Sequence, residues 1–310
     1  MYNKKTHEID YELLKETSKT ITRFLEDVTE ITEAPLPQIN EMTKNLRRLG
    51  GGILGFADLL IELDIPYGSK ESIELSNYLA WFINFHSWET SFELAKERGP
   101  FGFYDKDKVD LHVVTKVLYD SPYGKSEIPI EKLREIGVRN VAVSSLAPTG
   151  SIAIIGGVNS GIEPFFALAY KRNITEGVGN IATDSIFEIN PALESKLKQK
   201  GYSKEDIIEI VRYSVENGSL LGCDLVSEEL QQLFKTANDI AWEQHVDIQS
   251  AWQQYTSNAI SKTINIPEKS TIEDIYNIYL YMWKKGLKGG TVYRNNSKSF
   301  QILEKPKGKE

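Results

Sequence analysis

The chain has 310 residues, 36 Lys+Arg against 44 Asp+Glu, a formal net charge of -8 and 41% hydrophobic residues. That balance belongs to a globular protein with apolar side chains enough for one large domain or two ordinary ones. Its acidity argues against a dedicated binder of nucleic acid polymers, which needs Lys and Arg to neutralise phosphates, but leaves room for a small phosphorylated ligand.

The opening is predicted helical: Asp10 caps a helix whose apolar positions Leu14, Ile21, Leu25 and Val28 share one face. Pro35 and Pro37 punctuate it, and a second helix is expected from Ile39 through the cluster Gly50-Gly51-Gly52 to Leu60. Each glycine weakens a free helix by roughly 1 kcal/mol, so the cluster points to close backbone packing ahead of a kink or an approach to a ligand. Ser69 opens the longest helix, which Gly99-Pro100 ends, and its aromatics Tyr78, Trp81, Phe82, Phe85, Trp88 and Phe92 read as core. Residues 100–128 read as an irregular loop with a short helix near Lys108–Leu118, and Pro129 and Gly137 bracket another. The β-branched run Val138–Leu146 reads as a buried strand. Helices return over 203–256, with Ser227 as a cap and Ala241–Tyr255 as a further helix whose Trp242, Trp252 and Tyr255 are core. A βαβ unit follows: strand Ala259–Ile266, a capping box at Ser270–Glu273, a helix to Gly286 and strand Thr291–Arg294. Such a crossover makes its strands parallel, so the fold class is α/β, mainly helical outside the sheet. The main domain is expected over 1–297, with a flexible Lys-rich tail over 298–310.

The uncharged stretch from Asn140 to Ile162 is long enough to span a bilayer, but Pro148, Gly150, Gly156, Gly157 and Asn159 would break it as a helix in lipid. The start, Met1 to Lys5, lacks the apolar core of a signal peptide, so a cytoplasmic protein without a membrane segment is expected. Cys223 has no second cysteine to pair with, and the four histidines have no i,i+4 pair, so neither a disulfide nor a Cys- or His-rich metal centre is expected. His245 reads as a packing histidine, and Arg47 and Arg48 as surface or interface pairing ahead of contact with a phosphate or a carboxylate.

Directly after the 138–146 strand comes Leu146-Ala147-Pro148-Thr149-Gly150-Ser151. Small and hydroxylated residues at a strand-to-helix turn leave backbone N–H groups open, which is what a phosphate needs. On these residues alone, an ordinary capped turn is at least as good a reading.

The run Ala147 to Arg172 closely resembles the substrate-phosphate segment of adenosylcobalamin-dependent (class II) ribonucleotide reductases. Leu46–Leu60, Ser261–Pro267 and Gly286–Arg294 resemble the same family in the same order, from about residue 8 to 298. The resemblance implies half of the family's ten-stranded α/β barrel, with Ala147, Pro148, Thr149, Gly150 and Ser151 holding the substrate's phosphates. It places Asn159, Gly161, Glu163 and Pro164 in the next loop near the active site, with a pairing or capping role for Glu163 as good as a chemical one, and Tyr293 and Arg294 on the last barrel strand. Class I large subunits carry two adjacent tyrosines there; Arg294 in the second position fits an enzyme whose cofactor makes the radical beside the substrate, though a class I segment stays an alternative. The family's radical cysteine sits in Asn-x-Cys-x-Glu, which does not occur here, and Cys223 resembles none of the redox cysteines. The chain therefore looks like the C-terminal part of a split reductase. Its expected partners are an N-terminal chain carrying that finger loop, a ribonucleotide and a thiol reductant. Its expected cofactor is adenosylcobalamin, shared with or mostly bound by the partner. A half-barrel exposes sheet edges and an apolar face, which a partner, or less expectedly a second copy, would cover. The competing readings are a non-catalytic remnant that binds nucleotide phosphates, or a piece cut from a longer protein.

Overall fold

The computed structural model describes residues 1–175 and 182–297, the side chains of 170–188 excepted. A short hairpin, β1 (Tyr2–Asn3) with β2 (Glu8–Ile9), leads into α1 (Tyr11–Ile31), capped by Asp10 accepting from the Leu13 N–H at 2.9 Å. The buried stripe of α1 is not the expected apolar one: it is Leu14, Ser18, Thr22 and Glu26, whereas Ile21 and Val28 are each 37% exposed. Ser18 and Thr22 satisfy their hydroxyls on the helix's own carbonyls, and their small size lets α1 lie close to its neighbour.

The helix expected through the glycines ends early. Helix α2 (Pro37–Leu46) stops because Arg47 turns left-handed at φ +47°, and the chain runs extended before α3 (Phe56–Glu62). The glycines serve close packing, as their composition suggests, but in a strand. A Cβ on Gly52 would lie 2.4 Å from the Ser145 carbonyl oxygen, so only glycine fits. Helix α4 (Lys70–Arg98) has Ser69 and Gly99 as its caps and buries Trp81, Phe85, Trp88 and Phe92. Helices α5 (His112–Leu118) and α6 (Ile130–Ile136) follow, the latter between Pro129 and Gly137 as expected.

Of the strand expected over 138–146, only the second half pairs. Leu49 N–H donates to Ala142 O, Gly51 N–H to Val143 O and Ser145 N–H to Gly51 O, at 2.8–3.0 Å, and Gly51 bridges Ser144 in parallel. Residues 138–140 are buried but irregular, with the Arg139 and Asn140 side chains spent on Glu26, and half-buried Val141 donates its N–H to Leu46 O at 3.1 Å. Helix α7 (Gly150–Gly156) follows the turn after Leu146. An unforeseen antiparallel pair, β3 (Ala169–Thr175) with β4 (Ala182–Ile189), precedes α8 (Pro191–Gln199), α9 (Lys204–Asn217), α10 (Glu228–Leu233, capped by Ser227) and α11 (Trp242–Gln253).

The βαβ unit is present as β5 (Thr263–Ile266), α12 (Ile272–Lys284) and β6 (Thr291–Arg294), with β5 and β6 parallel. Its capping box sits one residue later than expected, on Thr271 and Asp274. A parallel bridge from Leu146 to Ile260 joins this unit to the earlier segments. The spatial order is thus 49–51, 142–146, 260–266, 291–294, all parallel: an open partial barrel backed by helices. One core gathers Phe56, Trp88 and Trp252 around α4, a second holds Cys223 among α8–α10, and a third packs α12 on β5. Among the described residues, no helix is long and apolar enough to cross a membrane, and no group of three or more His, Cys, Asp and Glu could hold a metal ion. The tail expected over 298–310 lies outside the described residues.

Candidate functional site

The turn after Leu146 is open. Ala147, Pro148, Gly150 and Ser151 are exposed, Thr149 is half-buried, and a Cβ on Gly150 would meet nothing within 4 Å. Thr149 adopts φ +53°, ψ +22°, a left-handed conformation that a β-branched residue takes only where its surroundings impose it. The first main-chain bond of α7 runs from Ala153 N–H to Thr149 O, which leaves the N–H groups of Gly150, Ser151 and Ile152 without partners in the helix.

The next loop lies against this turn. Gly161 N–H donates to Thr149 Oγ1 at 2.8 Å, and Gly161 takes φ +45° with Ala147 O only 3.3 Å from where a Cβ would stand. Asn159 Nδ2 donates to the Glu163 carbonyl at 2.5 Å, and Asn159 N–H to Asp58 Oδ2 at 2.7 Å. Burial raises the Asp58 carboxyl above its ordinary range, and the Asn159 N–H works against that shift. Of the expected site residues, then, the structure brings together Ala147, Thr149, Gly161, Asn159 and Glu163. Tyr293 and Arg294 stand on β6 level with Asn265 and Ile266; Arg294 Nη1 donates to Glu268 O at 3.0 Å, and among the described residues neither side chain hydrogen-bonds to the turn.

Beneath the loop is a buried polar cluster. The Lys262 side chain is 0% exposed, and its three ammonium protons match three acceptors: Glu163 Oε2 at 2.8 Å, His245 Nδ1 at 2.9 Å and Thr263 O at 3.3 Å. Accepting at Nδ1 makes His245 the tautomer that donates from Nε2 to Ala237 O, 3.0 Å away. Burial, seconded by the Lys262 charge, holds His245 well below the usual histidine range, so it packs as a neutral ring, as expected. Burial also lowers Lys262, while the Glu163 carboxylate pulls it upward. Tyr67 closes the cluster, donating to Ile162 O at 2.7 Å, with its phenol pushed well up by burial and by Glu163. The sequence leaves Glu163's partner open and gives Lys262 little prominence; the signal was a lysine in the short segment that alternates Ile260, Ile264 and Ile266 with polar residues.

The pairing expectation for Arg47 needs correcting. It is buried, not on the surface, and its Nε donates to Glu26 Oε1 at 2.6 Å. Arg48 is exposed and donates to Asn258 Oδ1 at 2.5 Å. Cys223 is fully buried in the second core, away from any open surface.

The family described as the ribonucleotide reductase barrel domain matches residues 1–293. This chain belongs to that family. It is 37% identical over 309 residues to the vitamin B12-dependent ribonucleoside-diphosphate reductase of Thermoplasma acidophilum, covering 97% of this chain and 36% of that protein. It is 33% identical over 295 residues to the enzyme of the same name from Mycobacterium tuberculosis, covering 95% and 38%. The ribonucleoside-diphosphate reductase subunit alpha of Chlamydia pneumoniae is 30% identical over 312 residues, covering 96% and 29%. The chain thus spans little more than a third of the length of these curated relatives, or less. Among solved structures, the class Id ribonucleotide reductase alpha subunit of Actinobacillus ureae superposes with a TM-score of 0.68 at 22% identity, over 91% of this chain and 46% of that one. That likeness is one of fold: the parallel ribbon and its helices form part of the reductase barrel.

Proposed function

We propose that this chain supplies the substrate-phosphate turn of a ribonucleotide reductase, which converts ribonucleotides to 2′-deoxyribonucleotides by radical chemistry, and that it closes the barrel of a partner chain. The observation that carries this reading is the open turn at 147–151, with N–H groups that find no partner in the helix and the exposed Ser151 hydroxyl beside that of half-buried Thr149, in a chain of this family. A nucleotide's phosphates seated there place the ribose over the centre of the barrel, so that binding energy gained far from the reacting bond orients the ribose.

The radical-bearing thiol has to come from elsewhere, because the single cysteine, Cys223, is buried. We assign it to an N-terminal chain carrying Asn-x-Cys-x-Glu, with an external thiol as reductant. Ile154 and Ile155 on α7, 82% and 87% exposed beside the turn, support a covering partner, since such side chains favour burial. The curated relatives named above as B12-dependent point to adenosylcobalamin, whose Co–C bond supplies the radical when the cofactor is bound. At the ribbon, both nitrogens of His245 are engaged by Lys262 and Ala237, so this histidine offers no cobalt ligand. We assign the corrin mostly to the partner. We place the assembled enzyme in the cytoplasm.

Two measurements test this. Alone, the chain should give no deoxyribonucleotide, and mixing it with a finger-loop partner should restore turnover; full turnover by the purified single chain refutes the division of labour. Replacing Thr149 and Ser151 by Ala should weaken ribonucleotide binding in calorimetric titration by about 1–3 kcal/mol. Unchanged affinity removes those hydroxyls from the site. The buried thiol also motivates the second reading, a non-catalytic remnant that binds nucleotide phosphates; binding without turnover beside every finger-loop partner would support it.

A further inference from the structure

A threonine at φ +53° does not hold itself there, and α7 offers it no side-chain cap. What touches it is the 159–163 loop, through the Gly161 N–H on Thr149 Oγ1. That loop is bolted down at its far end by Glu163, whose Oε1 accepts the Thr263 N–H at 2.7 Å while Oε2 takes the Lys262 ammonium at 2.8 Å. Asn159 ties the loop's start to its end through the Glu163 carbonyl, and Asp58 receives the Asn159 N–H from the side of α3. With Lys262 fully buried and the Glu163 side chain 24% exposed, the ion pair is a poor way to gain stability alone, since apolar residues of equal volume usually do as well. It does fix geometry, because every donor of Lys262 has one acceptor and the carboxylate has a partner on each oxygen.

We propose that Lys262 and Glu163 are positioning residues for the 147–151 turn: their ion pair latches the 159–163 loop to the start of β5, and the loop, through Gly161, holds Thr149 in the conformation that presents the turn's N–H groups to an anion. Neither residue touches the ligand. The hydroxyl of Thr149, already accepting from Gly161, keeps its one proton to donate outward. The proposal rests on the phosphate reading of the turn, and the experiment separates the two.

The full chain is compared with Glu163→Gln, which keeps the shape and removes the charge, and with Glu163→Gln/Lys262→Met, which removes both charges should the single variant fail to fold. Hydrogen exchange reads the Gly161 amide, and titration with ADP reads the turn; Thr149→Ala is the control. The latch predicts that Gly161 exchange rises by at least ~10-fold while Ile264 in the core stays protected, since local opening and global unfolding are separable. It predicts an ADP affinity lower by about 10-fold in both latch variants, a 1.4 kcal/mol effect. A folded latch variant with unchanged Gly161 exchange overturns the proposal. So does raised exchange with full ADP affinity in the latch variants while Thr149→Ala binds weakly. Raised exchange with ADP affinity unmoved in all three variants, Thr149→Ala included, overturns the phosphate role and leaves the latch standing.

Discussion

Two buried ion networks brace the parallel ribbon, and they do different work. Behind the strands' starting ends, Glu26 of α1 is 0% exposed and accepts from Arg47 Nε at 2.6 Å, Arg139 Nε at 2.7 Å and Asn140 Nδ2 at 2.7 Å, with Glu30 also pairing both arginines. Under the candidate site, Glu163, Lys262 and His245 form the second. The chemistry is alike: a carboxylate fully satisfied by cations and amides. The surroundings are not. Glu26 joins an outer helix to segments that carry no candidate ligand contact, whereas Glu163 ends a loop that bears directly on Thr149. A buried ion network is therefore structural or site-shaping according to what hangs from it, not according to its burial.

The sharpest way to break that comparison is to remove Glu26. Glu26→Ala leaves Arg47 and Arg139 buried with their main acceptor gone, and should cost about 3–5 kcal/mol in denaturant unfolding. Below its midpoint, the folded variant should still bind ADP with unchanged affinity. Weaker ADP binding would show that the first network also shapes the site. Next in size is the contact between the first two segments of the ribbon. Gly52→Ala puts a methyl 2.4 Å from Ser145 O, against backbone that can move only by parting the strands, and should destabilise by about 1–3 kcal/mol. A neutral Gly52→Ala would mean that this join is looser than either network.

The sequence showed the helix caps at Asp10, Ser69 and Ser227, the βαβ unit and the turn, because each depends on neighbours a few residues apart. It did not show the polar stripe of α1, where helical periodicity favoured Ile21 and Val28 over Ser18 and Thr22. The reason is long-range: Glu26 meets Arg139 across 113 residues of chain. Lys262 and Glu163 are 99 residues apart, so their pairing was equally invisible; once buried, the lysine at the start of β5 required an acceptor. The glycine cluster points to close packing, which the structure has, and to helix, which it lacks, because composition reports the space available but not the backbone that fills it. The β3–β4 pair went unpredicted although Gly177-Val178-Gly179-Asn180 between its strands is a turn composition, because the flanking segments alternate polar and apolar residues only irregularly.

Mild acid distinguishes the two networks most finely, because only the second contains a histidine. His245 is neutral in the folded chain, held well below 6.5 by burial and by the Lys262 charge. In the unfolded chain it titrates near 6.5. Above that value neither state binds the proton, and its contribution to stability is full and flat. As pH falls below it the unfolded state gains a proton that the folded state refuses, so stability drops, by at most about 1.4 kcal/mol per pH unit. Carboxylates held low by arginine, such as Glu30 and Glu97, act only below the ordinary carboxylate range, and so stay out of this window. Unfolding measured from pH 6.5 to 5.5 should therefore fall by up to about 1 kcal/mol in the parent chain. His245→Gln removes that titration, so its profile should be flatter. Parallel profiles would mean that His245 accepts a proton in place and that Lys262 swings away to let it, which would make the second network the softer of the two.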